Sequence, residues 1–147
     1  MAPFCREHGV SLLTYGTLCG GLLSDAYLGR PEPRGAALAT VSLRKYKQMV
    51  DAWGGWALFQ ELLHVLREVA DGHGVSIANV AVRYVLERPA VAGVIVGARL
   101  GIAEHRADNG RVFEFALTPA DHERLRTVLA RSRNLLDLIG DCGDEYR

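Results

Sequence analysis

The sequence predicts an α/β fold whose strands run parallel, and three features carry that expectation. Two short, nearly continuous apolar runs, residues 10–15 and 93–96, have the pattern of strands covered on both faces. Helical stripes separate them, and strands joined through helices pair in parallel. Two strands are also too few for a stable parallel sheet, so the chain reads as a piece of a larger α/β protein.

The elements follow in order. Residues 1–8 form the end of a helix, stopped by Gly9. The strand at 10–15 leads into a glycine-punctuated loop at 16–23, then a long connection over 24–55 containing Pro31, Pro33 and Gly35, with a short helix near 42–52. A connection of that length usually serves as a lid or binding loop. Tyr27, Tyr46, Trp53 and Trp56 give it apolar surface to pack. From Trp56 onward, Phe59, Leu62, Leu63, Leu66, Val69 and Ala70 recur at helical spacing until Gly72, His73 and Gly74 end the helix. Ser76 caps the next helix, whose stripe is Ile77, Val80, Ala81, Tyr84 and Val85, and Pro89 stops it. After the strand at 93–96 come a polar helix at 104–112 and an extended apolar stretch at 113–117. Thr118, Pro119 and Asp121 then start a helix running to about residue 132. One domain over 1–133 and a tail over 134–147, with an apolar turn at 135–139, are expected.

Composition narrows the function. The 49% apolar and 23% charged content suits one soluble globular domain in 147 residues. Lys+Arg and Asp+Glu both number 17, so no bulk field attracts nucleic acid or anionic membrane. No apolar run approaches the roughly 20 residues of a membrane span, and the N-terminus lacks a secretory pattern. Cys5, Cys19 and Cys142 are scattered and read as reduced thiols of a cytoplasmic protein. The five dispersed histidines lack metal-ligand spacing, so no metal is expected.

The densest local signal is residues 94–100, followed by Glu104, His105, Asp108 and Asn109. An apolar strand enters a small-residue turn, then a basic residue, then a polar helix. Backbone N–H groups at a helix start with a guanidinium beside them suit a phosphate. A plain strand-turn-helix with a solvated Arg99 fits the same local pattern.

Three segments together resemble the aldo-keto reductase family. Residues 14–23 (Thr-Tyr-Gly-Thr-Leu-Cys-Gly-Gly-Leu-Leu) are similar to the segment after its seventh barrel strand. Residues 75–86 are similar to its seventh helix, and 89–99 with 105–109 to its eighth strand, cofactor loop and following helix. The resemblance spans residues 3–133 and implies a partial TIM (β/α)8 barrel, its C-terminal portion with strands 7 and 8 and their helices. Ligand loops of such barrels follow the C-terminal ends of strands, often with a phosphate site after strands seven and eight.

By this resemblance the cofactor is NADPH. Tyr15 would stack on the nicotinamide, and the backbone of Gly16, Leu18 and Gly20 would line the pyrophosphate. Gly97, Ala98 and Arg99 would meet the adenosine ribose and its 2′-phosphate, Arg99 by its permanent planar charge. His105 stands where relatives carry Arg or Gln near that phosphate, and Asp108 and Asn109 would hold the adenine and ribose end. The family's catalytic Asp, Tyr, Lys and His belong to the first half of the barrel, so no catalytic residue is assigned here. Tyr15, Tyr27, Tyr46 and Tyr84 have no sequence ground for that role. Lys45 and Lys47 adjoin Tyr46, but neighbouring helix positions do not face each other.

The implied partners are a nicotinamide dinucleotide and either the first half of the barrel or another copy of the chain. Three readings follow: the C-terminal part of an NADPH-dependent reductase, inactive alone; a non-catalytic dinucleotide-binding or regulatory module; and an assembly piece pairing through exposed strand edges. Trp53 and Trp56 are expected to pack rather than to select a substrate.

Overall fold

The computed structural model describes residues 1–99, 101, 102 and 104–140. Leu100 of the 94–100 run, Cys142 and the end of the 134–147 tail lie outside the described residues. The elements are α1 (Ala2–Glu7), β1 (Leu12–Tyr15), α2 (Val41–Trp53), α3 (Gly55–His73), α4 (Ile77–Leu86), β2 (Val91–Ile95), α5 (Arg106–Gly110), α6 (Pro119–Leu129) and α7 (Leu135–Ile139), with single 3-10 turns at Cys19–Gly21, Asp25–Tyr27, Gly35–Ala37 and Arg111–Phe113.

The two strands pair in parallel, with Leu12 opposite Val91, Leu13 opposite Gly93 and Tyr15 opposite Ile95. A bulge between Leu12 and Leu13 shifts the register by a residue. Contrary to the expectation of strands covered on both faces, no residue of either strand is fully buried. Leu13, Tyr15 and Ile95 are 67%, 69% and 57% exposed. The reason is topological. Among the described residues the sheet ends at these two strands, and the helices supply a cover for one face only, chiefly α4 behind β2.

The core is therefore helical. One side of α3 presents Leu58, Phe59, Leu62, Leu63, Leu66, Val69 and Ala70, all buried. Against it pack Val50 of α2, Ile77 and Val80 of α4, Leu125 and Val128 of α6, and Leu22 of the loop after β1. The caps match the sequence. Ser76 Oγ accepts from the Asn79 N–H, and Thr118 with Asp121 forms a reciprocal capping box. α3 stops at Gly74 in the left-handed region, φ +66°. Two helices differ in extent from expectation. The polar helix spans only Arg106–Gly110 before tightening into a 3-10 turn, and α6 ends at Leu129, three residues early.

The long 24–55 connection packs closely. Trp53 and Trp56 lie on the core, and Trp56 Nε1 donates to the Arg30 carbonyl at 3.1 Å. Lys47 is buried, its ammonium held by Glu32 at 2.5 Å and Asp51 at 2.6 Å. Asp25 bridges Arg67 and the Ile77 N–H, the latter at 3.2 Å. The Lys47–Glu32 and Asp25–Arg67 pairs are charge-assisted and join separate segments, whereas Lys47–Asp51 lies within α2.

Two carboxylates anchor the start of α6. Asp121 Oδ2 meets His73 Nε2 at 3.0 Å and accepts from Thr118 Oγ1 at 2.7 Å. Glu87 receives Arg83 Nε at 2.6 Å, the Leu117 N–H at 3.0 Å and His122 Nε2 at 2.8 Å. Burial alone would raise both carboxyls. The hydrogen bonds outweigh it and hold Asp121 below its ordinary 3.8 and Glu87 below 4.5.

A carboxyl with a depressed folded pKa stabilises the fold above its unfolded value and loses that contribution as pH falls through the folded pKa. Urea midpoints measured from pH 7 down to pH 3 should decline below about pH 4.5. The decline should flatten in Asp121→Asn combined with Glu87→Gln; an unchanged profile in that variant would remove these two groups from the account. Leu63, fully buried on α3, gives the core test. Leu63→Ala should cost about 2–5 kcal/mol by denaturant titration.

Candidate functional site

Tyr15 closes β1 opposite Ile95 at the end of β2, so the loops after both strands leave the same end of the sheet. After Tyr15 the chain turns through Gly16 at φ +74°, and the Cys19 N–H returns to the Gly16 carbonyl at 2.9 Å. Cys19 (φ +48°) and Gly20 (φ +65°) keep the backbone left-handed. Leu22 then enters the core, fully buried, and fixes the loop to the helices.

Helix α2 lies against this loop, and Tyr46 is the contact. A Cβ on Gly16 would run into Tyr46 Oη, with Cζ at 3.1 Å. A Cβ on Gly20 would stand 2.9 Å from Tyr46 Cδ2 and 3.1 Å from the Ser42 backbone. The two glycines expected to line a pyrophosphate thus also make room for a phenol ring. The Tyr46 hydroxyl has no hydrogen-bond partner among the described residues. Burial, with Cys19 and Tyr15 close by, raises its pKa. Burial likewise pushes the Cys19 thiol up to about 11, which keeps it a protonated, unreactive filler. Thr17 Oγ1 is buried without a partner.

On the β2 side, Gly97, Ala98 and Arg99 are all exposed. Arg99 makes no side-chain ion pair among the described residues, so its guanidinium is available to an anion. His105 is exposed at the N-cap position of α5, and its side chain makes no capping hydrogen bond. Asp108 is already engaged. Its carboxylate accepts from Ser76 Oγ at 2.9 Å and Asn79 Nδ2 at 3.0 Å, tying α5 to the start of α4. Asn109 is half-buried beside it. Leu18 is half-buried in the loop, its carbonyl accepting from the Gly21 and Leu23 N–H groups at 2.8 and 3.2 Å.

The structure thus brings Tyr15, Gly16, Leu18 and Gly20 into one turn, and sets Gly97, Ala98 and Arg99 on the neighbouring loop. It gives Asp108 a structural set of bonds. Two features of this surface suit a dinucleotide, the exposed Tyr15 ring and the available Arg99 guanidinium; the Thr17 hydroxyl is buried and not part of it. Sequence reasoning did not single out Tyr46 for this surface. The glycines at 16 and 20 were a signal that something approaches the backbone closely, and they left open what. No group of three or more potential metal ligands occurs among the described residues.

Gly20→Ala would place a methyl in the left-handed region and against the Ser42 backbone. It should lower stability by about 1–2 kcal/mol. Thermal and urea unfolding of the variant measure this, and an unchanged midpoint would show that the loop relaxes freely.

Comparison with known proteins covers most of the chain. The model of the Aldo/keto reductase family matches residues 1–130. Flagellar radial spoke protein 5 of Chlamydomonas reinhardtii is 40% identical over 86 residues, 56% of this chain and 16% of that protein. Norsolorinic acid reductase B of Dothistroma septosporum is 29% identical over 130 residues, 86% of this chain and 29% of that protein. The chain therefore spans less than a third of the length of these relatives. The solved structure of the glycerol dehydrogenase from Gluconobacter oxydans resembles it in fold, with a TM-score of 0.56 at 22% identity, over 89% of this chain and 37% of that one. With the family pattern running from residue 1 to residue 130, the chain belongs to the aldo/keto reductase family.

Proposed function

We propose that this chain is the C-terminal part of an NADPH-dependent aldo-keto reductase barrel, with β1 and β2 as its seventh and eighth strands. The observation that carries the reading is the sheet. Two parallel strands end together beneath two loops, while Leu13, Tyr15 and Ile95 leave an apolar face to solvent. A barrel interior would cover that face, and further strands would pair the open edges.

In this reading the chain supplies the binding half of the site. Tyr15 offers its ring to the nicotinamide, and Arg99, with Gly97 and Ala98, offers a cation to the 2′-phosphate. When bound, NADPH supplies a hydride to an aldehyde or ketone. The proton-handling Asp, Tyr, Lys and His of the family come from the first half of the barrel, so the chain alone should not turn over. Asp108 contributes through α5 rather than by touching the ligand. The relatives' names run from a reductase to a flagellar spoke protein, so membership in the family does not by itself give this chain a reaction. A second reading draws on the same exposed face: pairing of the open strand edges with another copy of the chain.

NADPH fluorescence titration of the purified chain should show saturable binding well below millimolar. Arg99→Ala should weaken NADPH roughly tenfold while leaving NADH nearly unchanged, the scale of one charge-assisted contact. No binding at millimolar NADPH would sink the cofactor reading. Sedimentation at several concentrations separates self-pairing, which shifts with concentration, from a monomer.

A further inference from the structure

Tyr46 is the largest feature of the cofactor-side loop that the family resemblance does not use. It reaches the loop from α2, across a sequence gap that hides the relation. Its ring lies on the α-carbon side of both Gly16 and Gly20, so any ligand approaching the loop from that side meets the phenol before it meets bare glycine backbone. A phenylalanine would fill the same space. The hydroxyl lies against the Gly16 backbone but has no hydrogen-bond partner within the described residues.

We propose that Tyr46 is a phosphate-binding residue of this chain, its phenol donating a hydrogen bond to the pyrophosphate of a dinucleotide lying along the Gly16–Gly20 turn. The proposal rests on the cofactor reading above and adds a residue to it. Two observations support it. The hydroxyl stands at Gly16, directly after the exposed ring of Tyr15, where a chain from nicotinamide to adenosine has to pass. Burial raises the phenol's pKa, so at neutral pH it carries the proton it would donate. A phenol donating to a phosphate oxygen is a charge-assisted bond, stronger than a neutral pair. The bond would occupy a hydroxyl that otherwise has no protein partner.

Tyr46→Phe tests this with one atom removed. Affinities for NADPH and for adenosine 2′-monophosphate, which lacks a pyrophosphate, are measured by calorimetry on the unaltered chain and the variant. Circular dichroism and the thermal midpoint report whether the fold is kept. The expected result is a roughly tenfold loss for NADPH, with adenosine 2′-monophosphate unchanged. Equal NADPH affinity in the variant would reduce Tyr46 to packing and overturn the proposal alone. Tighter NADPH binding would make the ring an obstacle, and an equal loss for both ligands would place the hydroxyl elsewhere than the pyrophosphate; either overturns it. No NADPH binding by the unaltered chain overturns the cofactor reading itself, and this assignment with it.

Discussion

One apolar face of α3 organises the chain. Seven buried side chains from Leu58 to Ala70 lie on it, and α2, α4, α6 and the loop after β1 each press apolar residues against it. Burying a Leu- or Phe-sized side chain is worth about 1.5–3 kcal/mol, so this face carries much of what holds the chain against its conformational entropy. The candidate site inherits its position from it. Leu22 is the anchor of the Gly16–Leu23 loop, and Tyr46 reaches that loop because α2 is seated on the same core. Polar ties reinforce the arrangement where the chain is irregular: Asp25 with Arg67, Lys47 with Glu32 and Asp51, Gln60 with the Tyr27 carbonyl.

The sheet obeys a different constraint. A two-stranded parallel pair needs cover on both faces, and α4 covers only one side, behind β2. Solvent-exposed Leu13, Tyr15 and Ile95 are the consequence, along with open edges on both strands among the described residues. The same geometry that leaves the sheet unsupported also presents the strand ends, and with them the loops of the candidate site. Site and structural deficit therefore lie together.

Much of the helical layer was legible because local physics fixes it. The stripes of α3 and α4, the Ser76 and Thr118 caps and the Gly74 stop each rest on neighbours within four residues. The strand centres were legible for a similar reason, though not their burial, since apolar content does not reveal whether a covering layer is present. In the candidate site, Tyr15, Arg99 and the loop glycines were expected from the resemblance to the family, not from local physics. The engagement of Asp108 with Ser76 and Asn79 was not, because those partners lie 32 and 29 residues away.

By itself, then, the sequence determined the alternation of helix and strand and the capping, both set by short-range sterics and periodicity. Tertiary structure alone decided which surfaces those elements share. It set Tyr46 on Gly16 and Gly20, bound Asp108 into α4 and left one face of the sheet bare. The physical reason is range: Tyr46 lies far from Gly16 and Gly20 along the chain, and only the packing of α2 on α3 brings its ring to that turn.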